Sequence, residues 1–489
     1  MNVVSNAKWN AFSQFFKIGI QVANLVYLAK IIPPSEYGIM AMAVVVTNLG
    51  VLLRDLGTSA AIIQRRNLTE GVKNTVFWLN VILGCSLAIL IVLSSPLIAA
   101  IYNQHELIYV LMLLSISFPL SSSAATHLAL LERESKFKTI SKIEITSSLV
   151  SVLVAIIMAN LGYGVYSLVM QAIVLSLMSA LQFWIVSSWR PSFKLFINKH
   201  DLKEIFGFSA NLSLFNLINY FSRNADGFII GKFMSATILG SYNLAYRIML
   251  FPLQSLTFVA TRSLYPVLSH YQDDISKVRN TYLNCVFVIL MITAPLMSGL
   301  AIYSKPFVFL IFGPQWHITS DVLQWLAPTA IIQSILSTTG SVFMAKGRTD
   351  TLMRLGIIGT FLQVSAFLIG VNFSITTFAF CYLIANILNF FPVMVCLLKL
   401  ISVDFYFFFK KIFSIIMSTF IMISVLKTID LLVFPIDDIK NLFTLVVFSL
   451  VGVVVYFLRY LLCLLSFERI SSFFIATKLV IKQYNCFCY

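Results

Sequence analysis

Charge is what this sequence has least of. Only 11% of its 489 residues are Asp, Glu, Lys or Arg, whereas 59% are hydrophobic. A soluble globular domain cannot hide that much apolar surface, and the composition excludes one. Long polar stretches are missing as well, which leaves no room for a separate soluble domain. Histidine is rare, and His105, His127, His200, His270 and His317 show no metal-ligand spacing. The cysteines (85, 285, 381, 396, 463, 486 and 488) are odd in number and lie mostly in apolar runs. Their spacing suits neither a disulfide framework nor a zinc site, and they read as small packing residues.

What is present is a series of apolar runs, each long enough to cross a bilayer. They fall near 11–32, 38–63, 74–100, 107–131, 140–161, 163–187, 205–231, 237–262, 281–304, 320–345, 351–371, 374–398, 411–429 and 441–463. The expected fold is therefore all-α, a polytopic membrane protein of about fourteen transmembrane helices. The apolar run after Lys8 is too long for a signal peptide and lacks a small-residue cleavage site, so it is expected to stay as the first span. Segment 305–319 is apolar, too short to span and broken at Gly313–Pro314, and is expected on the outer interface.

The basic residues support this map. Those outside the spans alternate between connections: Lys8, the group from Arg133 to Lys142, the group from Arg190 to Lys203 and their counterparts onward fall on one side. Only Lys30, Lys232, Lys305, Lys427 and Lys440 fall on the other. By the positive-inside rule both termini are cytoplasmic. The net charge of +15 is spread among apolar runs, which points to topology and not to nucleic acid.

The chain also contains a repeat. The segment from Leu28 (LAKIIPPSEYGIMAMA) resembles that from Ile230 (IGKFMSATILGSYNLA), with Lys30, Gly38 and Ala43 matching Lys232, Gly240 and Ala245. The same offset of 202 maps Gln14, Lys17, Gln21 and Asn24 onto Asn216, Asn219, Arg223 and Asp226. Both sets step by three or four, so each forms a polar stripe on one helix face. An even number of spans separates the copies, the pattern of parallel transporter repeats around a central pathway. The expected organisation is a six-helix lobe over 1–200, a second over 201–400, and two further helices with a cytoplasmic tail over 401–489.

A charged side chain near the bilayer centre costs about 2.5 to 3.5 kcal/mol on insertion scales, so it normally faces a cavity or a partner. Lys17, Arg54, Asp55, Arg223, Asp226 and Arg247 all lie within predicted spans. Either they tie helices together as ion pairs or they line a wet cavity, and the length of the Arg223 stripe favours the cavity. Excess positive charge there suits an anion, and arginine grips phosphate oxygens in a fork. Arg223, Arg247, Arg54, Lys17, Gln21 and Asn219 are thus candidates to bind a pyrophosphate headgroup. Asp226 and Asp55 are candidates to titrate or to hold a cation, with proton and sodium both open as coupling ion. No cofactor motif stands up: GFIIGKF from Gly227 is one residue short of a phosphate loop and lacks Ser or Thr after Lys232.

Several pieces together resemble the polysaccharide flippases of the multidrug/oligosaccharidyl-lipid/polysaccharide exporter superfamily, the Wzx-like O-antigen and exopolysaccharide branch. They are LAKIIPPSEYG (28–38), DLGTSAAIIQR (55–65), FWLN (77–80), LERESKFK (131–138), WRP (189–191), RNADGFIIGK (223–232), YNLAYR (242–247), LYPVLS (264–269) and FGPQW (312–316). Beyond about residue 350 only the hydropathy pattern is family-like. The resemblance implies a two-lobed, alternating-access carrier, not an enzyme. It would move undecaprenyl-pyrophosphate-linked oligosaccharide across a bacterial inner membrane, with membrane lipids and polysaccharide polymerase machinery as further partners. It also implies cavity roles for Arg223, Asp226, Arg247, Arg54 and Asp55. Rival readings are a drug or cation exporter of the same fold, which would usually need an acidic or aromatic cavity, and a lipid II flippase, whose substrate shares the lipid pyrophosphate. A glycan polymerase or ligase would need a sizeable outward loop, which this chain lacks.

Overall fold

A computed structural model describes residues 3–54, 62–63, 68–193, 220, 224–432, 435 and 439–462. Among these there is no strand, and helix dominates. The helices are α1 (Val3–Ile31), α2 (Pro34–Arg54), α3 (Glu70–Tyr102), α4 (Leu107–Ser115), α5 (Ser117–Arg133), α6 (Phe137–Asn160) and α7 (Val165–Val186). After a further helical stretch over 224–233 come α8 (Ala236–His270), α9 (Ile275–Ile302), the short α10 (Ser304–Ile311), α11 (His317–Ala345), α12 (Thr349–Gly370), α13 (Ile375–Leu400), α14 (Phe405–Leu432) and α15 (Leu442–Leu462).

Eleven helices of the described residues are long and apolar enough to cross a membrane, α4 and α5 counting as one. Each coincides with a predicted span. Of the other three predictions, 11–32 and 237–262 fall on α1 and α8, and 205–231 lies largely outside the described residues. The span predicted over 38–63 corresponds to a helix whose described part ends at Arg54.

Helix ends follow local chemistry. Thr69, Asp274 and Ser374 cap α3, α9 and α13, each side chain accepting from the backbone N–H three residues on. Pro34 opens α2, where its missing N–H costs nothing. Segment 305–319 is the short helix α10, then a reversal at Gly313 and a 3₁₀ turn at Pro314–Trp316 with the Trp316 ring fully buried.

The chain forms two compact units, residues 1–243 and 244–489. In the first, α6 packs on α7, α3 on α5, α5 on α7 and α1 on α6; in the second, α12 packs on α13, α9 on α11 and α11 on α13. Matched in chain order, three pairings of the first unit recur in the second. The core of the second unit runs through Leu283, Val286, Leu290, Val342, Met394 and Phe408. Tyr456 of α15 is fully buried, and its hydroxyl donates to the Met291 carbonyl at 3.2 Å. Large apolar side chains left uncovered, such as Leu93, Ile185 and Phe361, are ones that hydrocarbon would cover.

One contact in the first unit carries the repeat into three dimensions. A methyl placed on Gly38 would overlap the carbonyl oxygen of Ala236, and one placed on Gly240 would overlap that of Pro34. Gly38 and Gly240 are 202 residues apart, and so are Pro34 and Ala236. The contact is therefore reciprocal: each glycine of the repeat seats against the first residue of the other copy's helix. Small residues let two helix backbones approach this closely. Gly19, by contrast, has open space around it. Gly38→Val and Gly240→Val should each lower stability by about 1–3 kcal/mol, read as an earlier thermal transition of the detergent-solubilised protein, with Gly19→Ala unchanged; equal behaviour of all three variants would contradict the close crossing.

Candidate substrate-binding site

The polar stripe of α1 divides over successive turns. Lys17 Nζ lies 2.6 Å from Glu144 Oε2 on α6. Gln21, one turn on, is exposed. Asn24, buried one turn further, donates through Nδ2 to Gln171 Oε1 on α7 at 3.2 Å. Near the far end of the helix, Asn160 of α6 donates to the Tyr27 hydroxyl at 3.0 Å. Lys17 and Asn24 are thus oriented from α6 and α7, while Gln21 between them is exposed.

Glu144 went unread in the sequence although it falls inside the predicted 140–161 span. The rule that singled out Lys17 applies to it equally, and that was the available signal.

Arg54 ends the described part of α2 and donates through a guanidinium nitrogen to Ser121 Oγ on α5. Asp226 is half-buried: Oδ1 accepts from the Gly227 N–H at 2.7 Å and Oδ2 from the Tyr242 hydroxyl at 3.0 Å. The helical stretch over 224–233 is tied to its surroundings by two further bonds, Asn224 Nδ2 to the Tyr220 carbonyl and the Tyr220 hydroxyl to the Val45 carbonyl of α2. Lys232 reaches the Ile101 carbonyl, in the last turn of α3. Arg247 is exposed on α8 in the second unit. Asp55, Asn219 and Arg223 lie outside the described residues.

Of the candidates, then, the described structure pairs Lys17 with Glu144, Arg54 with Ser121, and Asp226 with Tyr242, at three separate places. A cavity of about 490 Å³ lies in the second unit around Lys305, His317, Asp321 and Lys440, and no candidate lines it.

A second cluster explains several family-like pieces. Phe77 stands edge-on to Trp78, Trp184 and Trp189, and the buried His127 ring lies 4.7 Å from Trp184 and 5.4 Å from Trp189. Each indole finds an acceptor: Trp78 the Ser192 carbonyl, Trp184 the Ser123 carbonyl, and Trp189 the Glu70 carboxylate. Arg133 donates to the Ile62 carbonyl at 2.6 Å. Four of the quoted pieces, around 62, 77, 133 and 189, therefore meet at one end of the first unit and fasten the segment that leaves α7.

A family profile described as polysaccharide biosynthesis protein matches residues 27–321, well over half of the chain. The chain belongs to this polysaccharide biosynthesis family. Among curated relatives of this family member, the teichuronic acid biosynthesis protein TuaB of Bacillus subtilis is 29% identical, over 79% of this chain and 80% of its own. The lipopolysaccharide biosynthesis protein WzxC of Escherichia coli is 29% identical over 75% of each. Among solved structures, lipid II flippase MurJ in an inward closed conformation matches with a TM-score of 0.72 at 16% identity, over 93% of this chain and 98% of its own. An inward-facing MATE family multidrug transporter of the MOP superfamily matches at 0.59 and 16%, over 79% and 94%. The fold of the polysaccharide biosynthesis protein is thus the all-α, multi-pass fold of these transporters, and the resemblance read from its motifs is borne out.

If the aromatic cluster is structural, Trp189→Ala should cost stability, about 2–4 kcal/mol for a large side chain cut from such a site. The fraction that still folds should keep wild-type export. Loss of export at unchanged melting temperature would instead place Trp189 in the transport path.

Proposed function

We propose that this protein is a flippase that carries a lipid-linked oligosaccharide, an O-antigen or exopolysaccharide repeat unit on undecaprenyl pyrophosphate, from the cytoplasmic to the periplasmic leaflet of a bacterial inner membrane. The observation that carries the reading is the family match over 27–321 on a fold shared with solved transporters, one of them a lipid flippase. The membrane-depth cations supply the chemistry. Arg223, Arg247, Arg54 and Lys17 hold the pyrophosphate by charge-assisted hydrogen bonds, and Gln21 and Asn219 add neutral donors beside it. Asp226 and Asp55 are assigned to coupling with an ion gradient, proton or sodium. Asp226 suits that role because Tyr242 and the Gly227 N–H already hold both its oxygens in place.

The two arginines test the reading. Removing a charge-assisted hydrogen bond costs about 1.5–3 kcal/mol, tenfold or more in affinity. Arg223→Ala and Arg247→Ala, at unchanged protein level, should each reduce surface glycan and accumulate lipid-linked repeat units in the cytoplasmic leaflet. Normal export in both variants would refute the assignment.

A further inference from the structure

A fixed cation in a carrier poses a physical problem that a flexible loop does not. When substrate is bound, its phosphate balances the charge. When the site is empty, the same cation stands at membrane depth with nothing opposite, at a cost of a few kcal/mol on insertion scales. The first unit holds a side chain placed to meet that problem.

Lys17 lies about six residues into the span predicted at 11–32, or roughly 9 Å along the helix from its cytoplasmic end. Glu144 sits at matching depth, about four residues into the span predicted at 140–161. The two meet at 2.6 Å, with 19% of the lysine side chain and 38% of the glutamate exposed. The ammonium is thus the more enclosed member and the carboxylate the more accessible one. Glu144 meets the ammonium through Oε2. Glu132, half-buried on α5, lies within electrostatic reach of Glu144. Glu132 thereby adds negative potential beside Glu144. One turn along, Gln21 is exposed.

We propose that Glu144 is an exchangeable counter-ion: it occupies Lys17 while the site is empty and yields it to a phosphate oxygen of the arriving lipid pyrophosphate. No bond is made or broken covalently; one anion replaces another on the same ammonium. The consequence is that Lys17 is paired in both the loaded and the empty carrier, while the displaced Glu144 carboxylate, the more exposed member of the pair, is left to water in the loaded form. Glu144 competes with substrate, and so weakens binding in exchange for turnover. The inference rests on the flippase reading above and adds to it a residue with a defined role.

The two partners are predicted to act in opposite directions, which a purely structural ion pair would not do. Inorganic pyrophosphate is titrated by calorimetry into the purified, full-length protein in nanodiscs, comparing wild type with Lys17→Gln and Glu144→Gln. Glu144→Gln, lacking the competitor, should bind about tenfold tighter, and Lys17→Gln about tenfold weaker. With a lipid pyrophosphate oligosaccharide in proteoliposomes, Glu144→Gln should keep its first turnover and slow in later ones, because return of the empty carrier is impaired. Glu144→Asp should restore repeated turnover. Unchanged or weaker pyrophosphate affinity in Glu144→Gln, with wild type binding normally, overturns the counter-ion role alone. Absence of any pyrophosphate binding by wild type overturns the flippase reading together with it. Both variants are first compared by thermal transition, and opposite shifts in affinity at similar stability support the proposal.

Discussion

Hydrocarbon offers no hydrogen bonds, and that constraint organises everything else in this molecule. Every polar group that enters the membrane must be answered from within the protein. Many hydroxyls among the described residues are answered inside their own helix: Thr293 donates to the Ile289 carbonyl, Ser334 to Ile331 and Ser151 to Ser148. The longer polar side chains cannot do this and must reach another helix. Asn24 reaches Gln171, Lys17 reaches Glu144, and Asp226 is met by Tyr242. These cross-helix pairs mark where the chain carries more polarity than packing alone requires. Transport chemistry is sought there for that reason.

The same constraint explains the close approach of α2 and the start of α8. Without a hydrophobic drive between helices in lipid, association depends on backbones coming near and on many small contacts. Glycine at 38 and at 240 provides that proximity, and the equal offset of the two contacts shows a sequence repeat expressed as a reciprocal structural one. Three helix pairings likewise recur in both units.

Much of the fold was legible because membrane helices are filtered by composition. An apolar run of about twenty residues has few alternatives, so α3, α9 and α13 appear in the sequence almost at their observed limits. The candidate site was legible only in part. A helical pattern reveals which residues share a face, and on that ground it grouped Lys17, Gln21 and Asn24. It does not reveal what stands opposite, and the partners Glu144, Gln171 and Ser121 come from helices more than sixty residues away in the chain. The family-like pieces show the converse. Phe77, Arg133 and Trp189 were quoted as marks of a transporter, and the structure uses them to fasten one end of a bundle. A motif carries the family's history without saying whether its residues bind or brace.

The central claim is that the polar stripe of α1 faces a wet passage at membrane depth. The most direct measurement is accessibility of a thiol at position 21, placed by Gln21→Cys in a background whose native cysteines are replaced by serine. A small, water-soluble, membrane-impermeant thiol reagent should label it, and added lipid pyrophosphate oligosaccharide should protect it, while the Leu93→Cys variant, altered at a site exposed toward hydrocarbon, stays unlabelled. A thiol at position 21 as inert as one at position 93 would contradict the account.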